Sequence, residues 1–75
     1  PALLDPGEEV RLEARLLRRA SRVEVRLGPL VVPLERADDL TYWGSLLAPR
    51  TPGIYQLELY LDGTLTHTAR IRVRE

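Results

Sequence analysis

Several residue types are missing from this chain of 75 residues, and each absence removes a class of chemistry. There is no cysteine, so disulfides, thiolate metal sites and cysteine nucleophiles are excluded. There is no lysine either: the eleven basic residues are all arginine, and they balance eleven acidic residues. A chain with zero net charge has no overall field that would concentrate it on nucleic acid or on an anionic membrane.

Methionine and asparagine are also absent, and Gln56 is the single glutamine. Depletion of thermolabile side chains is a tendency of thermophile proteins, although the lack of lysine runs against that tendency. No apolar run approaches the roughly 20 residues of a membrane-spanning helix, so we expect no membrane insertion. The chain opens on Pro1 without a basic and apolar leader, which favours a processed protein or a piece of a longer one.

The clearest pattern in the sequence predicts a β-hairpin between residues 52 and 74. Apolar and polar side chains alternate on both sides of Asp62-Gly63, and a period of two places successive side chains on opposite faces of a strand. Asp-Gly suits a tight two-residue turn. One face of the hairpin is therefore apolar and needs a cover. The side chains predicted on that face are Tyr55, Leu57, Leu59, Leu61, Leu65, His67, Ala69, Ile71 and Val73.

The residues before the hairpin divide into further short strands. Residues 8 to 17 alternate apolar and charged side chains, which favours a strand over the amphipathic helix that Glu, Arg, Leu and Ala also support. Pro33 lacks the amide that a central strand needs, so its segment is predicted at a sheet edge. Residues 35 to 39 are predicted to form a charged loop. The remaining predicted strands cover residues 2–4, 23–27, 30–34 and 40–48.

Six or seven short strands, turn signals about every ten residues and no convincing helix predict one all-β domain over residues 1 to 75. Two antiparallel sheets packed face to face, or a small barrel, satisfy this pattern. A chain of this length buries only roughly 60% of the surface that its unfolded form exposes. The core is therefore small, and a large internal active-site cavity is hard to accommodate.

The run from Pro52 to Leu57 resembles the start of the sixth strand of immunoglobulin-like domains. The resemblance implies an immunoglobulin-like antiparallel β-sandwich of six or seven strands. It implies that Tyr55 hydrogen-bonds the backbone a few residues upstream and that Leu57 replaces the cysteine of antibody domains. The missing cysteine pair, and Trp43 in a different strand from the usual core tryptophan, point to a bacterial domain of the fibronectin or invasin kind.

A second resemblance covers most of the chain. The order Pro6-Gly7-Glu8-Glu9-Val10, Val23 to Gly28, Val32-Pro33-Leu34, Tyr42 to Pro49 and Pro52 to Tyr55 is similar to the small β-domain ahead of the zinc peptidase domain in LytM-type cell-wall endopeptidases. In that family the module is non-catalytic, and the metal ligands lie in the following domain. The resemblance implies an accessory module without a cofactor.

The residues that can carry chemistry are few and scattered. His67 is the single histidine, and alternation predicts it as a packed or partly covered side chain rather than a base or ligand. The acid pairs Glu8-Glu9 and Asp38-Asp39 lie next to turns without a histidine or third carboxylate. We therefore predict no catalytic residue, no metal site and no cofactor, and we expect the chain not to be an enzyme.

The predicted binding residues are aromatic or basic. Arg70, Arg72 and Arg74 line one face of the last strand, where they either bind an anionic polymer or pair with Glu58 as an ordinary wet surface. With zero net charge, pairing is favoured and nucleic acid is disfavoured. Trp43 and Tyr60 are both predicted to contact a partner, because two outward aromatic side chains would form an exposed patch.

Together these features predict a non-catalytic module that contacts another protein or positions a neighbouring domain of the same chain. A larger surface or cell-wall-associated protein is the expected setting, which favours the cell envelope or the extracellular space. The alternative is a small polyanion or single-stranded nucleic-acid-binding domain that uses the Arg70, Arg72 and Arg74 face.

Overall fold

A computed structural model describes residues 2 to 75 and folds them into eight β-strands without a helix. The strands are β1 (Ala2–Leu4), β2 (Glu9–Arg15), β3 (Val23–Leu27), β4 (Leu30–Pro33), β5 (Glu35–Arg36), β6 (Thr41–Leu47), β7 (Gly53–Leu61) and β8 (Thr64–Val73). The all-β prediction is confirmed, and β2 confirms the choice of strand over helix for residues 8 to 17. Nothing within residues 2 to 75 is a helix long and apolar enough to cross a membrane.

The strands form a five-stranded sheet in the order β1-β8-β7-β3-β4 and a three-stranded sheet in the order β2-β6-β5. The predicted count of six or seven strands was too low, because β5 lies where a loop was predicted. It consists of two charged residues that pair with Trp43 and Tyr42 of β6. The expectation of a wholly antiparallel architecture was also wrong, since β1 runs parallel to β8.

The inward faces of the two sheets share a core. Val23, Val25 and Leu27 of β3 are buried, and they cluster with Tyr42 and Leu46 of β6 from the other sheet. A second cluster joins the start of the chain to its end. Its buried members are Leu4, Ala48, Ile71 and Val73, and the half-buried Tyr55 and Leu57 contact both clusters. The apolar face predicted for the hairpin is therefore in the core at its open end.

The middle strand of the smaller sheet, β6, fits closely against the core. Tyr42 points inward and is 4% exposed, and its hydroxyl donates a hydrogen bond to the Ala20 carbonyl at 2.8 Å. Gly44 lies two residues along, and a Cβ there would stand 2.9 Å from the Leu34 side chain. A larger residue at position 44 would overpack this contact, which explains the glycine in the middle of a strand.

The hairpin turns at Asp62-Gly63 as predicted, with backbone φ angles of 49° and 83°. A pairing irregularity follows, because Leu59 is opposite His67 whereas Tyr60 is opposite Leu65. The extra residue of this bulge is Thr66, and it shifts the alternation of β8 by one position. The prediction that Leu65 shares the inward face with His67 was therefore wrong: Leu65 lies beside Tyr60 and is 46% exposed.

Asp62 connects this turn to the loop between β2 and β3. Its Oδ1 accepts hydrogen bonds from the backbone N–H groups of Ser21 at 2.9 Å and Arg22 at 2.8 Å. Its own N–H donates to the Arg22 carbonyl at 2.8 Å. The Asp62 side chain thus holds the β2–β3 connection against the tip of the hairpin. This connection joins the smaller sheet to the larger sheet.

We expect Asp62→Ala to destabilise the fold by about 1–2 kcal/mol. Alanine leaves the N–H groups of Ser21 and Arg22 without their acceptor, and it tolerates a positive φ poorly. Asp62→Asn is the matched control, since asparagine keeps an oxygen acceptor and accepts the left-handed conformation. Chemical denaturation of the three proteins measures the difference. Equal losses in the two variants would contradict a role for the Oδ1 bonds and the turn conformation.

Candidate functional site

The side of the larger sheet turned away from the smaller sheet is called the outer face here. Ile71 and Val73 of β8 are buried in the core. Side chains alternate along a strand, so Arg72 between them and Arg70 before Ile71 point to the outer face. Tyr60 of β7 lies on the same face, since it is opposite Glu24 and between the inward Leu59 and Leu61. Arg74 follows the end of β8. Four of the five predicted binding residues are thus on or next to one surface.

Arg72 lies between two exposed apolar side chains. Leu3 of β1 is its neighbour on one side and Ile54 of β7 on the other, and their exposed fractions are 53% and 60%. The aliphatic stem of an arginine packs along apolar neighbours while its charged head stays in water, so these three side chains form one mixed apolar and basic patch. Neither residue is among the predicted binding residues, although Ile54 is an apolar side chain at a position where the alternation of the hairpin predicts a polar one.

The carboxylate expected to pair with the arginine row is in a different place. Glu58 is opposite Thr68, while Arg70 is opposite Gln56, so Glu58 meets the row only diagonally. The prediction that Glu58 opposes the arginines was wrong because the two-residue turn and the bulge fix the register of the hairpin. Arg74 instead forms an ion pair with Asp5, with 2.9 Å between Nε and Oδ1.

Arg26 covers Tyr60 on the outer face. Its guanidinium lies 3.8 Å from the centre of the tyrosine ring, and its Nη2 donates to the Glu24 carboxylate at 2.7 Å. The hydrogen bond to Glu24 raises the pKa of Arg26 above its already high usual value. Val31 of β4 lies beside Arg26 and is exposed. Tyr60 is therefore half-buried, with a cation over its ring.

Trp43 lies on the opposite side of the molecule, on the outside of the smaller sheet. It is 40% exposed, and the Arg11 guanidinium lies 4.3 Å from its ring centre. The sequence left open whether Tyr42 or Trp43 points inward, and the structure buries Tyr42. Trp43 and Tyr60 therefore face away from each other and do not form one aromatic patch.

His67 is exposed, contrary to the prediction of a packed or partly covered side chain. It lies on the inward side of β8 at the end that the smaller sheet does not reach. There it lines an open groove of about 830 Å³ between β2 and β8, together with Thr66 and Ala69. Across residues 2 to 75, no three histidine or carboxylate side chains come together in a way that could hold a metal ion.

Both acid pairs contribute to local structure, and in the first pair Glu8 accepts a hydrogen bond from the Asp5 N–H at 2.8 Å. Asp38 accepts hydrogen bonds from the N–H groups of Leu40 at 3.2 Å and Thr41 at 3.0 Å, and these bonds lower the pKa of Asp38. Its neighbour Asp39 accepts a hydrogen bond from the Arg19 guanidinium at 2.6 Å. These contacts fix the turn that leads into β6.

Comparison with known protein families finds no matching family model, and comparison with curated proteins finds no matching sequence.

We expect Arg26→Ala to lower the melting temperature more than Arg26→Lys does. Lysine keeps a positive charge over Tyr60, although it lacks the planar guanidinium that stacks on the ring and donates to Glu24. Arg70→Ala, on the same face, is the control and should leave the melting temperature unchanged. Thermal unfolding followed by circular dichroism provides the measurement. If Arg26→Ala behaves like the control, the stacked arrangement contributes nothing to the stability of this face.

Proposed function

We propose that this chain is a non-catalytic immunoglobulin-like module that works by contact with another protein or with a neighbouring domain of the same chain. The observation that carries the proposal is the outer face, where Leu3 and Ile54 are exposed on either side of Arg72. Exposed apolar side chains beside arginine and tyrosine are typical of protein contact surfaces. The pairing of Arg26 with Glu24 gives this face charge of both signs for orientation of a partner.

The immunoglobulin-like part of the proposal is supported by strand order. In such domains the second, fourth and fifth strands of the basic pattern form one sheet, and the third, sixth and seventh form the other. Here β4 is counted as an additional edge strand after the third, so that β5, β6, β7 and β8 correspond to the fourth to seventh strands. In this correspondence β2, β5 and β6 form one sheet, and β3, β7 and β8 are central in the other. The Tyr55 hydroxyl donates a hydrogen bond to the Thr51 carbonyl at 2.6 Å, which is the bond that the tyrosine of the resemblance makes.

A setting in a larger surface or cell-wall-associated protein rests on the resemblance to the domain that precedes LytM-type peptidase domains. In such a protein the module would position its neighbour or hold it against a partner. Its residues supply no catalytic step in this proposal. An open reading frame that continues on either side into a peptidase or another surface domain would support this setting, and a reading frame that encodes this domain alone would contradict it.

Site-specific photo-crosslinking tests the contact surface. A photoreactive side chain in place of Ile54 should give a defined adduct in cells of the source organism, because this position is at the centre of the proposed contact. Glu35 of the smaller sheet is an exposed control position and should give none. Mass spectrometry distinguishes a separate partner from a neighbouring domain. Adducts that are equally frequent at both positions, or absent at both, would refute a specific contact at the outer face.

A polyanion-binding domain is the second candidate, favoured by the row of Arg70, Arg72 and Arg74. Against it, Arg74 is already paired with Asp5, and the chain carries no net positive charge. Arg70 and Arg72 form no ion pair within residues 2 to 75. Contact of these two arginines with phosphates would release about two counterions, which gives a shallow salt dependence of binding.

We expect no saturable binding of single-stranded DNA by this chain at physiological salt. Fluorescence anisotropy with a labelled oligonucleotide at increasing salt concentrations tests this. Binding that weakens with salt in the unmodified protein and disappears in the Arg70→Ala/Arg72→Ala variant would establish the second candidate instead. The double variant keeps the Arg74–Asp5 ion pair, so a loss of binding could not be assigned to that contact.

A further inference from the structure

Strand β2 is a free edge of the smaller sheet and lacks the usual features that protect an edge. Within residues 2 to 75 it pairs only with β6, along seven residues. It contains no proline, no bulge and no inward charged side chain. An edge of this kind presents unpaired backbone N–H and C=O groups that can bond a further strand.

The other exposed edges are short or interrupted. Strand β1 has three residues, β5 has two, and β4 contains Pro33. Strand β8 is bonded by β1 only at its last residues, from Ile71 to Val73. The rest of its edge includes the bulge at Thr66, which breaks the regular row of backbone groups. Strand β2 is therefore the edge best suited to pair with another segment.

The hydrogen bonds to β6 show which backbone groups of β2 are free. At one end, the N–H of Leu16 donates to the carbonyl of Leu40. At the other end, the carbonyl of Glu8 accepts from the N–H of Ala48, so the even-numbered residues bond β6. In an antiparallel pair the intervening residues direct their backbone groups to the other side. The groups available at the edge are those of the odd-numbered residues, Glu9, Arg11, Glu13 and Arg15.

The open groove beside this edge has apolar walls. Leu12 and Ala14 of β2 line the groove, and each is only half-buried. Leu57 and Leu59 of β7 line it from the larger sheet and are also half-buried. Leu17, just beyond β2, lines the groove and is fully exposed. A segment that places apolar side chains here would remove this surface from water.

The space beside β2 suits a single strand. Strand β8 of the larger sheet continues past the edge of β2 and forms the far wall of the groove through His67 and Ala69. A strand added to β2 would lie over β8 with one layer of side chains between them, as in other packed sheets. A folded partner that offered its own sheet edge would bring its second layer into the space of β8. The occupant is therefore an extended segment without a second layer behind it.

We infer that the edge of β2 binds an extended peptide segment of a partner protein as an antiparallel fourth strand of the smaller sheet. The outward charges of β2 define its sequence, because opposite charges directly across an antiparallel pair stabilise it and like charges destabilise it. Read from its amino end, the segment has an acidic residue opposite Arg15 and a basic residue opposite Glu13. The same two types repeat opposite Arg11 and Glu9. Apolar residues occupy the intervening positions, which face the groove.

The alternating charges of β2 select one direction and one register for this segment. A parallel segment of the same sequence would place like charges opposite each other at every charged position. A displacement by two residues within the antiparallel arrangement would do the same. A displacement by one residue would turn the apolar side chains of the segment to solvent. The bound segment leaves the outer face free, so the inference goes beyond the proposed function and does not depend on it.

An NMR titration of the unmodified protein with synthetic peptides tests the site. The capped peptide Glu-Val-Arg-Val-Glu-Val-Arg should shift the amide resonances of Arg11, Glu13 and His67 in a saturable way. N-methylation of the peptide at its charged residues should weaken binding about tenfold or more, because those N–H groups face β2. N-methylation at its valines is the matched control, since it leaves those N–H groups intact, and this peptide should bind like the unmodified one.

An exchange of charges on β2 tests the register. The Glu13→Arg/Arg15→Glu variant keeps the net charge and leaves Arg11 over Trp43. It should bind the first peptide about tenfold more weakly than the unmodified protein does. It should prefer the capped peptide Arg-Val-Glu-Val-Glu-Val-Arg, which the unmodified protein should bind weakly. Thermal unfolding verifies that the variant is folded.

The inference is overturned if the first peptide gives no saturable shifts at about 1 mM. It is also overturned if the two N-methylated peptides bind equally, or if the exchange of charges leaves the preference between peptides unchanged. Shifts confined to the edge of β8 from Thr64 to Arg70 would place the peptide on the larger sheet and overturn β2 as its partner. Self-association of the protein that shifts the same amides without peptide would make a second copy the occupant and would overturn the inference as well.

Discussion

The smaller sheet has three strands and the larger sheet has five, so one cannot cover the other completely. Burial follows this mismatch. The inward side chains of β3 are buried, whereas those of β8 are buried only at Ile71 and Val73, where β1 and Ala48 complete the cover. At the other end of β8, His67 and Ala69 are exposed. The partial cover therefore produces both the closed core and the open groove.

The mismatch also explains why Asp62 is important to the fold. The open end of the groove lies at the tip of the β7–β8 hairpin, where the side chains of β8 from Thr64 to Arg70 are all exposed. The bonds from Ser21 and Arg22 to Asp62 tie the connection from the smaller sheet to that tip. A polar contact at the surface here stabilises the packing of the two sheets, which in a larger protein would be stabilised by a larger hydrophobic core.

The period-two pattern was sufficient to predict the longer strands, because each of them has one face toward the core and one face toward solvent. It predicted β2, β3, β6 and the hairpin with its turn. It could not predict β5, whose two charged residues become a strand only because β6 is there to bond them. It also failed at Leu65 and Glu58, since the bulge at Thr66 and the register of pairing depend on contacts between strands rather than on sequence within one strand.

For the same reason the surface around Arg72 could not be predicted: Leu3 and Ile54 are separated along the chain and meet there only through two different strand pairings.

Zero net charge describes the whole chain but none of its surfaces. The outer face combines arginines with exposed apolar residues, the outside of the smaller sheet carries Trp43 under Arg11, and the free edge of β2 alternates both signs. The same balance that gives the chain no long-range attraction to polyanions leaves each surface with its own local pattern of charge, and the contact proposed for the outer face would depend on such a local pattern.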